Sequence, residues 1–445
     1  MTKKQFRHDF LRGLGSALIE LKTCKDPQKY YDIVHYGCLH NTTYDMQCEG
    51  DRGWYLHQAA VLVGGDAILE DVIRRYSIGF SDDWFFHQLV GVLWHFAADG
   101  NVAARATLYD KYNATLKHLT RINIKKRQYR ISPDRDMFNS LCIWLTDLDG
   151  WSAFKRIVND ISEKLLPKDA DFFFDEWFYD NSKNKLGKKR IENYLQKQAK
   201  KSEAIKIYWE KAQKWDAHVY EKRPAPTVDD IISVAYEGKF APGLARWFAR
   251  HADEESLAKL AKAAENEPDL KIRSNLLWAF VKAKYPLSED SIFELLSSDD
   301  EEIHRTAVCV LENNPSPRVR NYALSLLKNR EDSDSAISLL SKSILPEDEQ
   351  LFCDAVKSIP VKFSEGDWHG AFMSAEKGIE NLRGKPKTDL LQYIYRETYC
   401  SCCRERIVEL MHKKKVLPDD ILQECLYDCN LDIQAFAKRI LKRKQ

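Results

Sequence analysis

Apolar residues recur at spacings of three and four along nearly the whole chain of 445 residues, and strict alternation never lasts the length of a strand. YYDIVHYGCL, WYLHQAAVLV, DAILEDVIRRY, DWFFHQLVGVLWHFA and FNSLCIWL each put their apolar side chains on one stripe of a helix. The breaks between such stretches are short. Gly64-Gly65-Asp66, Asp99-Gly100-Asn101 and Asp149-Gly150-Trp151 each offer a glycine to end one helix and a polar residue to cap the next. Glycine and proline are sparse, at 18 and 14 residues, which disfavours a β fold rich in turns. Helix, short turn, helix, many times over, predicts an all-α fold of stacked helical hairpins, an α-solenoid or a large bundle.

A repeated motif sharpens this in the second half. Asp269-Leu-Lys-Ile272-Arg273, Asp300-Glu-Glu-Ile303-His304, Ser316-Pro-Arg-Val319-Arg320 and Asn430-Leu-Asp-Ile433-Gln434 share one logic. A short polar residue caps a helix, an apolar residue follows three later, then a polar one. A small or apolar residue completes the turn at Leu276, Ala307, Ala323 or Ala437, letting neighbouring helices approach closely. The motif resembles the second-helix pattern of HEAT-like repeats, in the variety with units of about 30 residues. The resemblance covers Asp269–Leu327 and returns faintly at Asn430–Ile440; the N-terminal half has hairpins without it. It implies an armadillo-like superhelix (an α-solenoid). Asp300 and Ser316 stand only sixteen residues apart, so either one unit is truncated or these are successive helices.

EKRPAPT at Glu221–Thr227 interrupts the helical pattern, because two prolines two apart cannot sit inside a helix, and Thr227 or Asp229 can cap the next one. The expected division is residues 1–222, a helical-hairpin domain, and 223–445, a HEAT-like repeat domain.

A formal net charge of +1 gives no global field toward nucleic acid or membrane, so any such binding needs a local patch. No run of about 18 apolar residues is present, so no membrane-spanning helix is expected. MTKKQFRHDF has no apolar stretch behind it, so no signal peptide is expected either. Eleven cysteines without a secretion signal then suggest free thiols in a reducing cytoplasm.

Three regions invite a functional reading. The first is His40–Asp51, about twelve residues where 2–8 usually join two helices. Tyr44, Asp45, Glu49, Asp51 and Arg52 are its candidate binding residues: the carboxylates can hold a cation or recognise a basic partner. The plainer reading is a structured corner in which Arg52 pairs with a nearby carboxylate while Trp54 and Tyr55 pack inward. His35, Cys38, Cys48 and His57 surround the loop, but their spacings match no standard zinc module. The second region is Lys183–Lys214, with eleven Lys or Arg against three Glu and with the aromatic residues Tyr194, Tyr208, Trp209 and, just past its end, Trp215. Lys183, Lys185, Lys188, Lys189 and Arg190 are its candidate contacts to a polyanion, since cations release counterions from phosphates and aromatic faces stack on bases. A solvated amphipathic helix pair is the plainer reading, and KKRQYR at Lys125–Arg130 can join the patch in space. The third region is Cys400, Cys402, Cys403, Cys425 and Cys429. Structural zinc favours C-x2-C knuckle turns on loops, and no such turn is read here, so buried thiols are preferred and no metal is expected.

No nucleophile elbow, P-loop, HExxH or dinucleotide-binding glycine turn is present. The expectation is a non-enzymatic, cytoplasmic α-solenoid scaffold without cofactors, holding a macromolecular partner, above all a protein, on its concave surface. The alternative is a nucleic-acid-binding helical-repeat protein acting through Lys183–Lys214, with base processing, as in helical-repeat DNA glycosylases, as its enzymatic form.

Overall fold

The computed structural model describes residues 1–50, 52–78, 83–121, 133–218, 224–384, 386 and 388–444. The expected contributions of Asp51 and of Lys125–Arg130 lie outside them. Among the described residues every regular element is a helix, and none is long and apolar enough to cross a membrane. The chain forms two compact units: Met1–Tyr220 with Leu422–Gln445, and Glu221–Ile421.

In the first unit the helices are α1 (Lys3–Arg12), α2 (Gly15–Thr23), α3 (Tyr31–Leu39), α4 (Met46–Glu49), α5 (Gly53–Leu62), α6 (Asp66–Ile78), α7 (Asp83–Ala98), α8 (Val102–Arg121), α9 (Pro133–Asp149), α10 (Trp151–Lys164), α11 (Ala170–Phe173), α12 (Glu176–Leu186), α13 (Lys188–Ala199) and α14 (Glu203–Asp216). Each packs mainly on helices close by in sequence: α3 on α5, α5 on α7, α7 on α9, α9 on α12, and α13 on α14. One continuous apolar core runs from Phe6 to Ala212. Aromatic rings fill much of it; Phe6 stacks on Tyr30 at 3.9 Å between centroids, and Tyr112 on Phe138 at 5.2 Å.

The second unit holds α15 (Val228–Tyr236), α16 (Pro242–His251), α17 (Glu254–Asn266), α18 (Leu270–Leu277), α19 (Asp290–Leu295), α20 (Glu301–Asn313), α21 (Pro317–Asn329), α22 (Ser333–Leu340), α23 (Glu349–Ser358), α24 (Asp367–Asn381), α25 (Thr388–Glu397) and α26 (Ser401–Lys413). Its helices form two rows. In the first row, α15, α18, α20, α22, α24 and α26 each touch the next; in the second, α21 touches α23 and α23 touches α25. From α18 onward, first-row helices begin at Leu270, Glu301, Ser333, Asp367 and Ser401, which are 31, 32, 34 and 34 residues apart.

The same polar links recur between successive members of that row. Asn313 Nδ2 donates to the carbonyls of Phe280 and Ala283, Lys342 Nζ to Asn313 Oδ1, Asn381 Nδ2 to the Ser341 carbonyl, and Lys414 Nζ to the Leu382 carbonyl. Each satisfies backbone carbonyls or side-chain acceptors near a helix C-terminus, where the helix itself supplies no donor.

The local signals act as their chemistry dictates. Asp269 and Asp300 each accept two backbone N–H groups of the following turn, Ser316 accepts one from Val319, and Asn430 accepts from Asp432 and Ile433. Leu276, Ala307, Ala323 and Ala437 are all fully buried. The sixteen-residue spacing of Asp300 and Ser316 marks successive helices, α20 and α21, one in each row. Past Pro226, Thr227 and Asp230 close a reciprocal capping box on α15.

The expected domain 223–445 differs from the structure at its C-terminal end. After α27 (Asp419–Glu424), a 3₁₀ turn at Cys425–Tyr427 packs on α2 and against α28 (Leu431–Lys444), which places residues 422–445 in the first unit. The seat is the turn Gly13-Leu14-Gly15. Gly13 ends α1 at φ 75°, and its carbonyl accepts the Cys429 N–H at 2.9 Å. A Cβ at Gly15 would collide with the Glu424 backbone carbonyl, which cannot swing aside as a side chain can. Gly15→Ala is therefore expected to cost about 1–3 kcal/mol by overpacking and to loosen residues 422–445. Limited proteolysis of the full chain should cut faster in that segment. An unchanged rate and an unchanged Tm would mean that the segment is not seated on α2 in solution.

Candidate functional site

The His40–Asp51 loop is held from within. Thr42 is fully engaged with Gln88, whose Oε1 accepts both its N–H and its hydroxyl at 3.0 Å, while Gln88 Nε2 donates to the carbonyls of Gly37 and His40. The Asp45 carbonyl accepts the N–H groups of Cys48 and Glu49, which makes the short α4. Glu49 then turns back: Oε1 accepts the Asp45 N–H at 2.8 Å and Oε2 accepts from Arg52 at 3.1 Å. Arg52 also donates to the Leu11 carbonyl at 2.9 Å. The Glu49 and Arg52 side chains are 1% and 3% exposed. The two charges of this pair are thus turned toward each other and away from solvent. Tyr44 and Asp45 are half-buried, and Tyr55 is fully buried with its hydroxyl on the Leu14 carbonyl. Nor do the surrounding ligand types converge. His35 binds Asp71 at 2.7 Å, Cys38 is buried with its thiol pushed up to about 12 by desolvation, Cys48 is exposed, and His57 lies 3.2 Å from Asp99.

The Lys183–Lys214 run meets acids brought to it by the fold. Lys183 pairs with Asp180 at 2.7 Å and Asp216 at 2.6 Å, Lys185 with Asp147 at 3.1 Å, Lys188 with Glu192 at 3.6 Å, and Lys211 with Asp171. The Arg190 guanidinium lies over the Trp151 ring at 4.4 Å, and Lys189 is exposed. Tyr208 is fully buried, and Tyr194 and Trp209 are half-buried against the core. Lys185 instead borders a cleft of about 270 Å³ between α9 and α12, lined also by Ile143, Thr146, Asp147, Ser182 and Asn184.

What the fold does bring together is a thiol–imidazole group in the second unit. The ligand atoms of His369, Cys400 and Cys403 all lie within 4.8 Å of one another, the only such group of three among the described residues. His369 is the third residue of α24. Cys400 is the N-cap of α26 and Cys403 its third residue, so the group joins the first turns of neighbouring first-row helices. Cys403 donates its N–H to Cys400 Sγ at 3.4 Å, and His369 Nε2 stands 3.1 Å from Cys403 Sγ. Arg406 donates to Cys403 Sγ at 3.2 Å and pairs with Glu376 at 3.2 Å. Both cysteines are 3% exposed. Hydrogen bonds from Cys402 and Cys403 hold the Cys400 thiol well below its ordinary range.

Cys425 and Cys429 belong to the first unit, where Cys429 Sγ lies against Gly13. The group therefore differs from the all-cysteine set considered from sequence, and His369 is the member that reading missed. Cys400-Ser-Cys-Cys403 is itself a C-x2-C spacing, the one local signal that marks the place.

No protein-family model and no curated protein matches the chain. A crystal structure described as that of an engineered protein, from the Northeast Structural Genomics Consortium, aligns with 96% of this chain and 98% of its own at 13% identity, with a TM-score of 0.23. So loose a superposition says nothing of fold or function.

Proposed function

We propose that the chain is a non-enzymatic α-solenoid scaffold, of HEAT-like build in its second unit, that holds a protein partner along its first row of helices. The observation that carries this reading is the recurrence of one helix pair at 31–34-residue steps, with each first-row helix packed on the next. Units that contact only their neighbours leave a long face free, which suits the capture of an extended partner. On that face Lys282, Lys342 and Lys377 gather around Glu312, with Arg305 nearby, so the partner it suits is acidic. Nucleic acid is less favoured, because Asp147, Asp171, Asp180 and Asp216 already engage Lys183, Lys185 and Lys211 of the basic run.

A photo-crosslinking residue at Arg305 or Lys377, both exposed on the first row, is expected to trap a protein in cells, whereas one at Lys328, exposed on the second row, is not. Purified protein is expected to show no salt-sensitive binding to DNA or RNA. Nucleic-acid adducts, or equal trapping from both rows, would defeat the reading.

A further inference from the structure

We propose that His369, Cys400 and Cys403 form a zinc site that clasps α24 to α26. The donor set is one imidazole nitrogen and two thiol sulfurs, the borderline-soft ligands that zinc prefers. Tetrahedral zinc with bonds of about 2.0–2.3 Å needs its ligands about 3.5–3.8 Å apart. The three ligand atoms lie within 4.8 Å of one another, and the 3.1 Å between His369 Nε2 and Cys403 Sγ needs to open by only a few tenths of an ångström. The fourth position falls to water.

The junction of α20 with α22, two steps earlier in the same row, argues that this group is more than a chance meeting of core thiols. There His304, in the first turn of α20, places Nε2 3.0 Å from Asp332 and 3.2 Å from Ser335. Asp332 is the N-cap of α22 and Ser335 its third residue. Cys400 and Cys403 hold the same two positions on α26, and His369 reaches them from the first turn of α24. One architectural slot thus occurs twice. In the first it carries two oxygens and works as a hydrogen-bonded staple. In the second both oxygens are replaced by sulfur, which gains little for a hydrogen bond but creates a soft-metal donor pair. Arg406, donating to Cys403 Sγ and anchored by Glu376, supplies the outer hydrogen bond that thiolate ligands of metals commonly have. The site stands independently of the scaffold reading, since it concerns what holds two repeats together and not what they hold.

The test is Co²⁺ titration of the full chain, reduced and freed of metal, followed by visible absorption. Uptake of one equivalent with a thiolate-to-cobalt charge-transfer band and the d–d bands of tetrahedral coordination is expected, with displacement by Zn²⁺. Zn²⁺ is also expected to raise the melting temperature, and a chelator to reverse the rise. C403S and H369Q should abolish the charge-transfer band or shift it strongly, while C402S and C425S should keep it. His369 is only half-buried, so H369Q serves as the folded control if C403S does not fold. Absence of a charge-transfer band in the reduced wild-type chain overturns the proposal, as does a band unchanged in both C403S and H369Q. Spontaneous loss of the two thiols to a Cys400–Cys403 disulfide in metal-replete protein, counted with a thiol reagent, overturns it too.

Discussion

Glu49→Ala is expected to destabilise the first unit by about 3–5 kcal/mol, the cost of breaking a buried charge pair by removing one member. Arg52 is 3% exposed at its side chain and would keep the Leu11 carbonyl as an acceptor while losing the Glu49 carboxylate. The substitution also removes the acceptor of the Asp45 N–H, so α4 loses the bond that folds it back. Chemical denaturation of the full chain, read by far-UV circular dichroism, should show the loss in one of two transitions, because two compact units need not unfold together. A companion variant, Glu49→Ala with Arg52→Met, should recover much of it, since an apolar pair avoids the desolvation penalty. A loss under about 1 kcal/mol for Glu49→Ala would mean that the loop opens in solution, and a binding role for Glu49 and Arg52 would then regain its footing.

Trp368→Ala is expected to cost the second unit about 3–5 kcal/mol. Trp368 is fully buried beneath the start of α24, its indole N–H donates to the Lys362 carbonyl at 2.8 Å, and its ring meets Phe372 and Tyr399 at 5.7 and 6.0 Å. Trp368→Phe keeps most of the apolar contact and leaves the Lys362 carbonyl without that donor, so a smaller loss of about 1 kcal/mol is expected. The large variant carries a second readout. His369 is the next residue and packs edge-on against this indole at 5.5 Å, so the cavity should also weaken cobalt uptake by the thiol–imidazole group. Stability retained within about 1 kcal/mol in Trp368→Ala would contradict the packing of this turn.

The features legible in the sequence were those that a few consecutive residues decide. Asp269, Asp300, Ser316 and Asn430 cap helices because a short acceptor side chain reaches the N–H groups two or three residues on, whatever lies around it. The alanines that follow are buried because the helical period fixes which face they share. Features that depend on distant partners were not legible. Lysines of the Lys183–Lys214 run looked unopposed because Asp147, Asp171 and Asp216 stand outside the run in sequence. The Glu49–Arg52 pairing was open to reading, but its depth came from tertiary burial. His369 is 31 residues ahead of Cys400, about one repeat step, so only the stacking of α24 on α26 introduces them. The docking of residues 422–445 rests on two glycines at the far end of the chain, which no local pattern couples to Glu424 or Cys429.

That docking makes the second unit an excursion out of the first: the chain leaves at Tyr220 and comes back at Leu422. A ribosome therefore extrudes about two hundred residues between most of the first unit and the piece that completes it. Until then the notch beside Gly13 and Gly15 stays vacant. The order of manufacture therefore delivers every helix of the second unit before the segment that fills that notch.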